Sequence, residues 1–171
     1  MIDSHCHLNF ESIKNNFSKI IQNAKNNNIT SILTINTNPN NFSEHLTLIK
    51  NYNSIYISYG LHPCYVTKSN LISYSQIIRF LDNDKVIAIG ETGLDFNNSI
   101  EFKKEQINVF EQHIEASITS NLPLIIHQRN SEKEIKKVIK NFNKSNNLKI
   151  VFHCFTGTSY LKKFCLDNNF Y

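Results

Sequence analysis

Short apolar runs alternate along this chain with longer stretches of helical periodicity, and that alternation limits the fold more than any single residue does. The runs are Met1–His7, Ile29–Ile35, Ile55–Leu61, Val86–Glu91, Leu122–His127 and Lys149–His153. Between them, apolar residues recur at steps of three and four. Phe10-Ile13-Phe17-Ile20-Ile21-Ala24 reads as one helix face, and so do Phe42-Leu46-Ile49 and Tyr74-Ile77-Ile78-Leu81. Phe102-Ile107-Phe110-Ile114 and Ile135-Val138-Ile139-Phe142 continue the series. Nearly continuous apolar strands separated by amphipathic helices predict a parallel sheet covered by helices, an α/β architecture of about six strand–helix units. All four glycines (Gly60, Gly90, Gly93, Gly157) are expected at strand ends, where a backbone turns or approaches a ligand. Asn26-Asn27-Asn28 and Asn146-Asn147 read as turns ahead of strands.

With 171 residues, 40% of them hydrophobic, the chain is long enough for one packed domain, expected over 1–171, and short for two. A net charge of +4, with lysines spread along the expected helices, permits an anionic partner without demanding one. No apolar run approaches the ~18–20 residues of a membrane span, and no leader pattern is evident. Cys6, Cys64, Cys154 and Cys165 show no CxxC spacing, so reduced thiols and a cytoplasmic location are expected, with no membrane partner.

His5 and His7 are two residues apart, so on a strand their imidazoles project from one face. Glu91, His127 and His153 each end a later apolar run. Polar groups at the C-terminal ends of successive parallel strands are where a (β/α) barrel assembles its active site. One histidine at a strand end is more often structural than ligating. A carboxylate ending a buried strand, however, is costly unless paired or metal-bound. Together these five residues point to a metal site, suited to zinc, manganese or cobalt and less to an all-oxygen magnesium or calcium site. His45 and His113 lie beside apolar helix stripes and read as structural.

The chain resembles the TatD family of metal-dependent deoxyribonucleases, in the amidohydrolase-like superfamily of TIM barrels. The matching motifs are Asp3-Ser4-His5-Cys6-His7-Leu8, Gly60-Leu61-His62-Pro63 and Ile89-Gly90-Glu91-Thr92-Gly93-Leu94-Asp95. Leu122-Pro123, Ile126-His127-Gln128-Arg129 and His153-Cys154-Phe155-Thr156-Gly157 complete the series in the family's order. The resemblance implies two divalent ions (zinc, manganese, magnesium or cobalt). His5 and His7 would hold the first, Glu91 would bridge the two, and His127 with His153 would hold the second. It further implies phosphodiester hydrolysis of DNA, trimmed from an end, by a metal-activated water. Glu91 is then the residue central to catalysis, His62 and Arg129 contact substrate, and Asp95 orients a ligand from behind. An amide or ester hydrolase such as an aminoacyl-tRNA deacylase would use the same ligands, and a non-catalytic fragment is a third reading.

The family's TIM barrel has eight strands and ~250 residues, and its last strand carries an aspartate in a Glu-Thr-Asp-Pro context, the usual general base. No Glu-Thr-Asp occurs in this chain, which ends at Asn168-Asn169-Phe170-Tyr171. The expectation is therefore an incomplete barrel with two open edges and an uncovered interior, a C-terminally truncated product that is inactive alone or is completed by a separate C-terminal polypeptide.

Overall fold

The computed structural model describes residues 1–143 and 148–171. Six strands form one parallel sheet: β1 (Ile2–Cys6), β2 (Ser31–Thr34), β3 (Ile55–Tyr59), β4 (Val86–Asp95), β5 (Leu124–Arg129) and β6 (Ile150–Phe152). Their spatial order follows the chain, β1-β2-β3-β4-β5-β6, each strand hydrogen-bonded to the next. Sequential order with a helical crossover at every step is the arrangement of an arc of TIM-type barrel. The helices are α1 (Glu11–Lys14), α2 (Phe17–Asn26), α3 (Phe42–Ile49), α4 (Tyr74–Leu81), α5 (Lys103–Ser120), α6 (Glu132–Phe142) and α7 (Ser159–Asp167).

The periodic stretch after β1 is two helices rather than one. Asn15 and Asn16 interrupt it, although the apolar spacing continues through both. Asparagine side chains compete with helical hydrogen bonds, and Asn16 leaves helical geometry with ψ 18°. Other ends follow their local chemistry. Ser73 and Gln76 form a reciprocal capping box on α4, and α5 stops at Asn121 in the left-handed conformation. The expected Asn146-Asn147 turn lies outside the described residues.

The main core lies between the sheet and its helices, where Ile57, Ile77, Ile89, Phe110, Ile114 and Ile126 are completely enclosed. Each such side chain contributes about 1.5–3 kcal/mol by leaving water. The inner face of the arc is less bare than expected. Ile35, Ala88 and Ile125 form a small buried cluster there. Val151, the register partner of Ile125, stays 39% exposed on that face. Nor is the β6 edge wholly open. Tyr171 lies along it, donating its N–H to Ile150 O and accepting from Phe152 N–H.

Strand β4 runs through Glu91 to Asp95, four residues beyond the expected end. Gly90 and Gly93 are therefore inside a strand, not at its end, with φ of 120° and 131°. A Cβ at Gly93 would overlap the carbonyl oxygen of His127, and one at Gly90 would collide with Ile125 O. Both glycines permit β4 to press against β5 across a bulge between Ile89 and Thr92. The Gly90–Glu91 peptide is cis.

Candidate metal centre

The C-terminal ends of the strands converge on Glu91, which is 3% exposed. Its backbone N–H donates to Asn36 O just past β2. Its carboxylate faces three imidazoles: His5 Nε2 lies 3.5 Å from Oε2, while His127 Nδ1 and His62 Nε2 lie 3.3 and 3.6 Å from Oε1. Burial alone would raise the Glu91 carboxyl, but the imidazoles ranged around it, His127 foremost, outweigh that. The group is held below the usual carboxylate range and is ionised.

The segment carrying His5 and His7 is fixed by β2. Ile35 N–H donates to Cys6 O at 2.8 Å, and Leu8 N–H donates to Thr34 Oγ1 at 3.1 Å. That hydroxyl in turn lies 2.9 Å from His45 Nε2. His5 and His153 stack nearly parallel, ring centroids 3.3 Å apart. Since β1 and β6 are the two ends of the sheet, this stack joins them across the mouth of the arc. His153 reaches it from a turn in which Cys154 takes φ 46°.

One ligand atom each from His5, Glu91 and His153 lies within 4.8 Å of the others, and the same holds for His62, Glu91 and His127. The structure thus groups His153 with His5 rather than with His127, and brings His62 up to Glu91. His7 falls outside both groups, its ring stacked on Phe10 with centroids 4.6 Å apart.

Hydrogen bonds separate ligand from proton donor. The Asp95 carboxyl would rise through burial, but Asn98 and His127 hold it below its ordinary value, so it is an ionised acceptor. His127 Nε2, 3.0 Å from Asp95 Oδ2, therefore carries a proton. Although burial lowers the imidazole, its hydrogen bonds to Glu91 and Asp95 raise it overall, so Nδ1 holds a proton toward Glu91 that a bound cation would displace. A carboxylate behind a histidine is the usual support of a metal-ligating imidazole. His62 is wired the other way. Its Nδ1 accepts the Cys64 N–H at 3.2 Å, so the proton sits on Nε2, facing Glu91. His62 is a donor at this centre rather than a ligand.

The residues present fit a cation. His5 Nε2 and His7 Nδ1 are buried ring nitrogens without a hydrogen-bond partner, and such atoms are rare unless something else satisfies them. Burial lowers His7, with Glu91 opposing, and burial with His5 lowers His153. Both imidazoles are neutral near pH 7, as metal ligation requires. Burial likewise carries His62 down to about 4. Cys64 sits at the rim with Sγ 3.5 Å from Asp95 Oδ2, its thiol pushed up to about 11 by burial and by Asp95. Among the described residues all four cysteines are free.

His113 and His45 belong to neither ligand group. His113, completely buried, donates from Nδ1 to Val109 O and accepts Leu61 N–H at Nε2. His45 is 1% exposed and supports Thr34. Arg129 lies on β5 two residues beyond His127, on the same face. A cavity of about 360 Å³ opens over the centre, lined by His7, Phe10, His62, Tyr65, Glu91 and His127 among others.

The profile of TatD related DNases matches residues 2–171. The chain belongs to that family. An uncharacterized metal-dependent hydrolase of Buchnera aphidicola subsp. Baizongia pistaciae is 34% identical over 174 residues, covering 100% of this chain and 65% of that protein. The protein named 3'-5' ssDNA/RNA exonuclease TatD from Erwinia amylovora is 26% identical over 168 residues, covering 97% and 64%. The crystal structure of YJJV, a TatD homologue from Escherichia coli K12, superposes with a TM-score of 0.86 at 24% identity, over 99% of this chain and 66% of that one. That likeness establishes the fold. The chain spans about two thirds of the length of these relatives. It is a member of a metal-dependent hydrolase family with a TIM-barrel-like fold, and among the described residues no helix is long and apolar enough to cross a membrane.

Proposed function

We propose that the protein hydrolyses phosphodiester bonds of DNA, working from an end, at a centre of two divalent ions. This reading sets aside inactivity of the chain alone, because Glu91 and the histidines around it are already brought together here. The observation that carries this reading is the buried, ionised Glu91 surrounded by imidazoles, two of whose neighbours present unpartnered ring nitrogens. His5, Glu91, His153 and His127 Nδ1 would hold the ions, with His7 Nδ1 turned to the same end of the sheet. Such ions lower the pKa of water toward neutrality and draw charge from phosphate oxygens. Asp95 fixes the His127 tautomer and ring plane. His62 presents an Nε2 proton to the cavity, where it can donate to a substrate oxygen. Arg129 offers a planar fork suited to a phosphate. Support for DNA as substrate comes from the family and from the exonuclease name of the Erwinia relative.

Metal analysis and hydrolysis of single-stranded DNA, comparing wild type with Glu91→Ala, test the reading. Loss of both metal content and activity in the variant is expected. Cleavage of an aminoacyl ester with no action on DNA would overturn it.

A further inference from the structure

Beside the centre lies a second cleft of about 520 Å³, lined by Asn97, Gln128, Arg129, Asn130, Lys133 and Thr156 among others. Its volume is within the range of small-molecule sites, roughly 300–1,000 Å³. It opens where β4 and β5 end, next to the metal centre. Arg129 shares His127's face and stands two residues, about 7 Å, farther along the strand.

The cleft floor is rigid. Phe96 N–H donates to Arg129 O at 2.9 Å, and the buried Ser131 hydroxyl donates to Leu94 O at 2.9 Å. The Asn130 amide reaches Asn97 Oδ1 at 3.3 Å.

Its charges are unevenly committed. Glu134 is paired with Lys103, and both oxygens of Glu132 are taken by the backbone N–H and hydroxyl of Thr158. Among the described residues Arg129 and Lys133 form no ion pair, and both are exposed. Two cations without partners, ringed by amides and a hydroxyl, suit a phosphodiester. Among the described residues no aromatic side chain lines this cleft, whereas Phe10 and Tyr65 line the cavity over the metal centre. Single-stranded nucleic acid stacks its bases on aromatics and threads its backbone over cations, so the two cavities are complementary.

We propose that this cleft holds the phosphodiester next to the scissile one, with Arg129 and Lys133 on its oxygens, while the terminal base lies against Phe10 and Tyr65. The inference rests on the DNA-hydrolysis reading and adds a second, sequence-tolerant phosphate subsite to it.

The test is binding of phosphorothioate-linked (dT)8 to the manganese-loaded full chain across a salt series, alongside hydrolysis of ordinary (dT)8. Each single-strand phosphate contact contributes about 0.7 to the slope of log affinity against log salt. Lys133→Ala should reduce the slope by about 0.7, which is a roughly eightfold loss of affinity at 50 mM salt relative to a 1 M reference. Lys133→Arg should restore it, Arg129→Ala with Lys133→Ala should remove about twice as much, and Lys19→Ala, on exposed α2 surface, should change nothing. If wild type hydrolyses (dT)8 while the cleft variants keep the wild-type slope, the subsite is wrong and the nuclease reading survives. If wild type hydrolyses no oligonucleotide, the reading fails and the subsite with it.

Discussion

Replacing Asp95 with asparagine changes one atom and should switch the role of His127. Asp95 is 1% exposed. Its Oδ1 accepts from the backbone N–H groups of Asn97 and Asn98 at 3.0 and 2.8 Å. Its Oδ2 accepts from His127 Nε2 at 3.0 Å and from the Asn98 side chain at 2.8 Å. In Asp95→Asn the amide oxygen is claimed by the two backbone donors, so the NH₂ group occupies the Oδ2 place. Two donors then face each other at His127 Nε2. The ring relieves this by giving up its Nε2 proton and keeping the one on Nδ1, which holds N–H toward Glu91 where a metal needs a lone pair. Loss of the carboxylate support behind a ligating histidine costs about 10–100-fold in metal affinity, or about 1.4–2.7 kcal/mol. Competition against a chelator of known affinity measures it, and the thermal midpoint of the metal-free chain, compared with wild type, separates lost affinity from lost fold. Metal affinity within twofold of wild type in a folded Asp95→Asn protein would refute the tautomer argument.

Two further outcomes are expected. Gly93→Ala forces a side chain into φ 131° and against His127 O, so the chain should lose at least about 1–3 kcal/mol of stability; an unchanged thermal midpoint would contradict the strand geometry. His113, completely enclosed, is carried by burial down to about 4, so the unfolded chain takes up this proton near pH 6.5 and the folded chain only near 4. Its contribution is complete above pH 6.5 and is lost as pH falls toward 4, at up to about 1.4 kcal/mol per pH unit. Denaturant titrations at pH 7 and pH 4.5 should show that loss in wild type and a smaller one in His113→Gln.

Much of the architecture can be read from the chain alone, because parallel strands buried on both faces must be apolar and their crossover helices must be amphipathic. His5, Glu91, His127 and His153 stand where apolar runs end, although Glu91 proves to lie inside β4 and His127 two residues before the end of β5. What periodicity misses is local chemistry that leaves the apolar spacing intact. Asn15 and Asn16 split a helix without disturbing its stripe. Gly90 and Gly93 look like strand terminators, yet they carry β4 onward to Asp95 by allowing a close approach to β5. Ligand grouping is harder still, since the His5–His153 stack depends on how far the sheet curls. The proton positions of His62 and His127 depend on Cys64 N–H and Asp95, and the residue spacing of the motifs says nothing of either. Cys64, read only as a reduced thiol, turns out to touch Asp95.

The account stands on the claim that the ends of β1, β4 and β5, with the turn after β6, build one metal centre around Glu91. Anomalous diffraction from crystals of the protein grown with zinc tests this most directly. The account predicts a peak within about 2.0–2.2 Å of the Glu91 carboxylate, the zinc–oxygen bonding range, with His127 coordinating through Nδ1 and His62 remaining a hydrogen-bond donor. A peak bonded to His127 Nε2, or zinc bound only away from Glu91, would contradict it.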